Sequence, residues 1–112
     1  MKKLEIIIRP DKLETLKEIL DECGCGGMTI MAVMGCGQQK GSVNQIKNMK
    51  VNINLLPKIQ VNAVIKDEQV ENTLLEINTK ISSGTVGDGK VFVYDVDDAM
   101  RIRTGERGGK AI

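Results

Sequence analysis

The chain has 112 residues, enough for one domain with its own hydrophobic core and no disulfide staples, and its net charge is only +1, from 16 basic and 15 acidic side chains. That balance, with one Phe, one Tyr and no Trp, offers neither the dominant basic face nor the stacking rings of a nucleic-acid binder. The absence of histidine removes the usual general base and the commonest zinc ligand, and no apolar run reaches membrane-spanning length. The N-terminus MKKLEIIIRP is too short and too quickly polar for a signal peptide, and three cysteines, an odd number, fit a reducing compartment, so the expected location is cytoplasmic.

In chain order, residues 3–9 (KLEIIIR) read as a first strand, with Leu4, Ile6 and Ile8 on one face and Ile7 on the other. Pro10 is expected to stop it, and Asp11 stands where an N-cap belongs, with Glu14 three residues on. Leu13, Leu16, Leu20 and Cys23 then recur at helical spacing, Ile19 widens the stripe, and CGCGG ends the helix. Residues 28–34 (MTIMAVM) form a second strand. From Gly35 to about Leu55 no period is visible, and a loop of that length inside one domain is usually functional. Residues 58–65 (KIQVNAVI) alternate cleanly as a third strand. Asp67 is placed to cap a second helix carrying Val70, Leu74, Ile77 and Ile81. Gly84 and the loop TVGDG follow, then KVFVYDV as a fourth strand and a short charged tail.

The order βαββαβ repeats one unit and points to an α+β, ferredoxin-like sandwich: four antiparallel strands with two helices on one face. Ile7, Met31 and Phe92 give the opposite sheet face apolar groups as well, which implies burial against another subunit.

Several segments carry chemistry. Gly87 and Gly89 let successive amides converge on an anion, with the Lys90 charge beside them; the plainer reading is a turn with a solvated lysine. Arg101 and Arg103, two apart, share a face if the chain is extended there, with Ile102 on the other. They then make a clamp for phosphate or carboxylate, or else a solvated basic edge. In GCGQQKG, Gly35, Gly37 and Gly41 surround Gln38, Gln39 and Lys40, a third segment that a fold could gather around a polyphosphate. Neither a Walker A loop nor a dinucleotide fingerprint is present. Cys23, Cys25 and Cys36 lack the spacing of a structural zinc site and read better as small buried hydrophobes. Asp95, Asp97 and Asp98 fit a cap on a turn before Ala99 and Met100 better than a cation site.

Taken together, MKKLEIIIRPDKL, GMTI, GCGQQKG, LLPKIQV, VGDGKVFV and RIRTGERGGKAI resemble the PII nitrogen-regulatory signal-transduction proteins over the whole chain. The resemblance implies a single domain over residues 1–112, assembled as a homotrimer. It further implies a flexible partner-docking loop over about 37–55, between strands two and three, and a C-terminal tail over about 101–112. It implies a non-enzymatic sensor of ATP or ADP and of 2-oxoglutarate, acting on an ammonium transporter or a regulator of nitrogen metabolism. The nucleotide would meet Thr29, Gly35, Gly37, Gln38, Val64, Gly87, Asp88, Gly89 and Lys90, with Arg101 and Arg103 from the neighbouring chain. Gln39 and Lys58 would serve 2-oxoglutarate, Gln39 through Mg²⁺ shared with ATP. Departures from the family pattern are Val51 at the modified tyrosine position, Met49 at a serine used in some members, Gln38 for an arginine, Asn62 for a glutamate and Cys36 for a frequent aromatic. These weaken the case for covalent control and for ATP hydrolysis. A nitrogenase-regulating branch of the family, an ATP-hydrolysing domain and a metal-binding domain are the alternatives.

Overall fold

The computed structural model describes residues 1–36 and 55–112. The expected docking loop over about 37–55, with Gly37, Gln38, Gln39, Met49 and Val51, falls outside the described residues except at its last position.

Strand β1 spans Lys2–Ile8 and buries Leu4, Ile6 and Ile8 while Lys3, Glu5 and Ile7 face the other way. Pro10 does not merely end it. A 3₁₀ turn, Pro10–Lys12, begins on the proline, whose fixed φ and missing N–H suit the first helical position. Asp11 lies inside that turn and makes no side-chain cap, contrary to its expected N-cap role. Its charge still sits at the positive end of the helix dipole. Helix α1, Leu13–Glu22, follows and buries Leu16, Ile19 and Leu20.

Strand β2 is Thr29–Gly35 and β3 is Leu56–Ile65. A second 3₁₀ turn, Asp67–Gln69, leads into helix α2, Val70–Ile81. Asp67 was the expected cap here, but it pairs with the N-terminal ammonium at 2.9 Å. The capping contact comes from Gln69, whose Oε1 accepts the Lys66 backbone N–H at 2.9 Å. Helix α2 buries Val70, Thr73, Ile77 and Ile81; the one polar member, Thr73, donates its hydroxyl to the Gln69 carbonyl at 2.7 Å, so its burial leaves no unmet donor. Strand β4 is Gly89–Asp95.

The sheet order is β2-β3-β1-β4, with every pair antiparallel, which is the ferredoxin-like arrangement. The core residues of β1 and β3 pack against those of both helices in one cluster. The opposite sheet face carries Ile7, Met31, Phe92 and Tyr94; Met31, Phe92 and Tyr94 are 37 to 46% exposed. The apolar groups expected on that face are therefore present, and no described helix covers them. Among the described residues no helix is long and apolar enough to cross a membrane.

One backbone contact sets where β4 starts. Ile8 lies opposite Gly89, and a Cβ on Gly89 would stand 1.8 Å from the Ile7 carbonyl oxygen, at a φ of +115°. Only glycine fits there. Gly89→Ala is expected to cost about 3 kcal/mol or more of folding stability, read as a lower urea midpoint. An unchanged midpoint would contradict this close approach.

Candidate functional site

The antiparallel register brings the end of β1, the end of β2 and the starts of β3 and β4 to one edge of the domain. There the loop over residues 83–88 folds around a single carboxylate. Asp88 accepts the backbone N–H groups of Ser83 at 2.7 Å and Gly84 at 3.0 Å, and the Ser83 and Thr85 hydroxyls. It also pairs with Arg9, which leaves the end of β1. The second Arg9 nitrogen donates to the Val86 carbonyl at 2.8 Å and to Thr85 Oγ1 at 3.3 Å. Lys58, near the start of β3, donates its ammonium to the Gly87 carbonyl at 2.7 Å. Gly87 itself has a φ of +100°.

Ser, Thr and Asp fold such loops because their short oxygens capture nearby amides. Here the Ser83 hydroxyl and backbone N–H are the main reasons that Asp88 is held well below the usual carboxylate range, with help from Arg9 and Gly84 against partial desolvation. Asp88 is thus a fixed negative charge, spent on shaping the loop.

Of the residues singled out in the sequence, Gly35, Lys58, Gly87, Asp88, Gly89 and Lys90 meet at this edge. Gly35 packs closely on Lys58: a Cβ there would stand 3.1 Å from Lys58 Cγ. Lys90 lies opposite Ile7 and is exposed. The carbonyls of two successive peptide units are thus held by two cations, beside an exposed third one, Lys90. The arrangement suits an anion held by backbone amides and lysines.

Thr29 and Val64 stand elsewhere. Thr29 is opposite Asn62, and Val64 is six residues along β3 from Lys58, about 20 Å in an extended strand. With Lys3, Gly27 and the C-terminal Ile112 they line a cleft of about 420 Å³. The tail lies at this second end, where Val96 donates its N–H to the Met1 carbonyl.

The tail corrects one expectation. Arg101 and Arg103 do not sit in an extended segment sharing a face. The chain turns over residues 102–104, where Gly105 N–H reaches the Arg101 carbonyl at 2.7 Å and Gly105 takes a φ of +76°. Arg101 pairs with Glu106 at 3.2 Å, while Arg103 rides exposed in the turn beside Ile102. Asp98 clasps the base: it pairs with Arg107 and accepts the Ala99 and Gly108 amides at 2.8 and 3.2 Å. That contact with Arg107, before the amides, holds its carboxyl below the usual range.

Cys23 and Cys25 are half-buried against the core, as small hydrophobes would be. Cys36 is exposed instead, since β2 ends at Gly35 and nothing described packs over it. Three residues of the loop network were not singled out in the sequence. Ser83 and Thr85 carried a readable turn signal in SSGTVGDG. Arg9 carried none, because a cation between a strand and a proline reads as solvated.

The family model described as "Nitrogen regulatory protein P-II" matches residues 1–106. Among curated relatives, the nitrogen regulatory protein P-II of Rhodospirillum rubrum is 45% identical over 112 residues, the whole of both chains. Nitrogen regulatory protein P-II 1 of Methanothermobacter thermautotrophicus is 46% identical over all of this chain and 97% of its own. The nitrogen regulatory protein P-II of Azospirillum brasilense is 42% identical over the whole of both.

The low pKa of Asp88 has a consequence for stability. The unfolded carboxyl takes up a proton near pH 4 and the folded one only below that, so the stability tied to Asp88 is present above about pH 4 and lost as pH falls further. Asp88→Asn is expected to flatten the fall in urea midpoint below about pH 4. A variant with the same acid limb as the parent chain would show that the carboxylate does not hold the loop.

Proposed function

The chain belongs to the P-II family of nitrogen regulatory proteins, and from that premise we propose that it is a non-enzymatic, cytoplasmic sensor. It binds ATP or ADP together with 2-oxoglutarate and regulates nitrogen assimilation by docking its long loop onto a partner, an ammonium transporter. The observation that carries this reading is the glycine loop, folded around Asp88 and pinned by Arg9 and Lys58 with Lys90 beside it.

The two groups of residues expected at the nucleotide lie at opposite ends of the sheet, too far apart for one chain to bring together. A second copy supplies the missing half if its Thr29–Val64 end and its tail arginines meet the Lys90 end of its neighbour. Such a head-to-tail contact between identical chains closes into a ring when the rotation between copies permits, here a proposed trimer, and the apolar sheet face with Ile7, Met31 and Phe92 offers surface for it. In this arrangement Gly35, Gly37, Gln38, Gly87, Gly89 and Lys90 of one copy face the phosphates, Asp88 shapes the loop, and Thr29, Val64, Arg101 and Arg103 come from the next. Adenine nucleotide fits the donor set, which is amides and lysines without a general base; Asp88, held ionised and fully engaged, is a poor one.

Lys58 gives the second ligand its place. A carboxylate of 2-oxoglutarate is a stronger acceptor than the Gly87 carbonyl that holds the Lys58 ammonium at 2.7 Å. Taking Lys58 therefore releases one tie on the phosphate loop, so the two ligands share a group. Gln39, outside the described residues, would offer Mg²⁺ a neutral oxygen ligand. When bound, such a cation would offset the repulsion between dicarboxylate and triphosphate, and the two binding events would be coupled reciprocally.

Calorimetry on the trimer tests this. ATP is expected to bind Lys90→Ala about tenfold more weakly or worse, with the oligomer intact. 2-Oxoglutarate is expected to bind in the presence of ATP and Mg²⁺ and far less with ADP. Unchanged ATP affinity in the variant, or equal 2-oxoglutarate binding with either nucleotide, would contradict the reading.

A further inference from the structure

We propose that Arg9 is the positioning residue of the phosphate loop: by holding the Val86 carbonyl and the Asp88 carboxylate together, its guanidinium turns the Gly87 amide toward the anion and cancels the loop's own negative charge. The inference rests on the nucleotide reading above and adds a residue to it.

The geometry is that of a fork. One terminal nitrogen of Arg9 meets Asp88, and the other meets the Val86 carbonyl at 2.8 Å and the Thr85 hydroxyl at 3.3 Å. The Arg9 and Asp88 side chains are only 27% and 20% exposed, so solvent does not easily replace either partner. Every described peptide bond is trans. In a trans unit the C=O and the following N–H point in opposite directions. Drawing the Val86 oxygen toward Arg9 therefore points the Gly87 N–H away from it, out of the loop's packed side.

Local sequence fixes the fork in place. Ile8 is locked opposite both Ile59 and Gly89. Pro10 disfavours a helical backbone at the residue before it, and Arg9 is extended, with φ −66° and ψ 144°. The guanidinium thus leaves the sheet at the base of the loop, not along α1. A lysine there would carry the charge without the planar pair of donors, and so would not hold a carbonyl and a carboxylate at once. Without a cation at position 9, the ionised Asp88 would stand next to a polyphosphate with no charge paired directly to it.

The test is ATP calorimetry on the parent trimer, Arg9→Gln, and the double variant Arg9→Gln with Asp88→Asn, each checked for native mass and melting temperature. Arg9→Gln is expected to weaken ATP binding about tenfold or more. The double variant is expected to regain part of that loss, because removing Asp88's charge removes the repulsion that Arg9 had cancelled. A role limited to holding the fold predicts the reverse, since the second substitution would add to the damage. If Arg9→Gln fails to assemble, Arg9→Lys is read in its place, with weaker ATP binding expected and partial recovery on adding Asp88→Asn. Parent-like ATP binding in the single variant, or further loss in the double one, overturns the role of Arg9. A parent chain that binds no adenine nucleotide overturns the nucleotide reading itself, a separate and distinguishable result.

Discussion

Everything in this molecule follows from the central strand being paired on both sides. Ile8 faces Ile59 on one flank and Gly89 on the other, while Lys2 faces Ile65 and Asp95. Antiparallel pairing then sorts every connection to one of two ends. One end collects Arg9, Lys58 and the loop before Gly89; the other collects the N-terminus, the cleft at Thr29 and Val64, and the tail. A shift of one residue in that register would move Leu4, Ile6 and Ile8 out of the core, so the hydrophobic core enforces the placement of charge.

At the first end, electrostatics and backbone geometry solve one problem together. A loop that presents amides to an anion must send its carbonyls elsewhere. Arg9 and Lys58 receive the carbonyls of Val86 and Gly87, and Asp88 gathers the amides of Ser83 and Gly84 into a closed turn. The cations serve the loop and the proposed ligand at once. In the proposed sensor, a ligand that recruits Lys58 would alter the loop through that shared group.

Much of this was legible in the sequence. The alternation in KLEIIIR and KIQVNAVI, the β-forming runs MTIMAVM and KVFVYDV, and the helical stripes through Leu16 and Ile77 placed all four strands and both helices within one or two residues, because burial dictates such patterns. The helix starts were less legible. Asp11 and Asp67 look like caps, but Pro10 opens one helix and Gln69 caps the other. The tail misled for a similar reason: two arginines at i and i+2 read as a strand, while Gly105 and the Asp98 clasp bend the chain back. Arg9 was invisible, since its partners lie 74 to 79 residues away in sequence and only the fold brings them within reach. Of the candidate site, the glycines and Lys90 could be named from local pattern, whereas the division into two distant halves could not.

That division is the claim most open to direct attack, and mixing two defective chains attacks it. Lys90→Ala damages one half of the proposed site, and Arg103→Ala damages the other. Each homotrimer is expected to bind ATP about tenfold more weakly than the parent chain, or worse. Refolded together in equal amounts, the two chains should restore binding at about a quarter of the sites, wherever an intact Lys90 end meets an intact tail. A mixture with no sites tighter than those of its two components would show that the halves do not come from different copies.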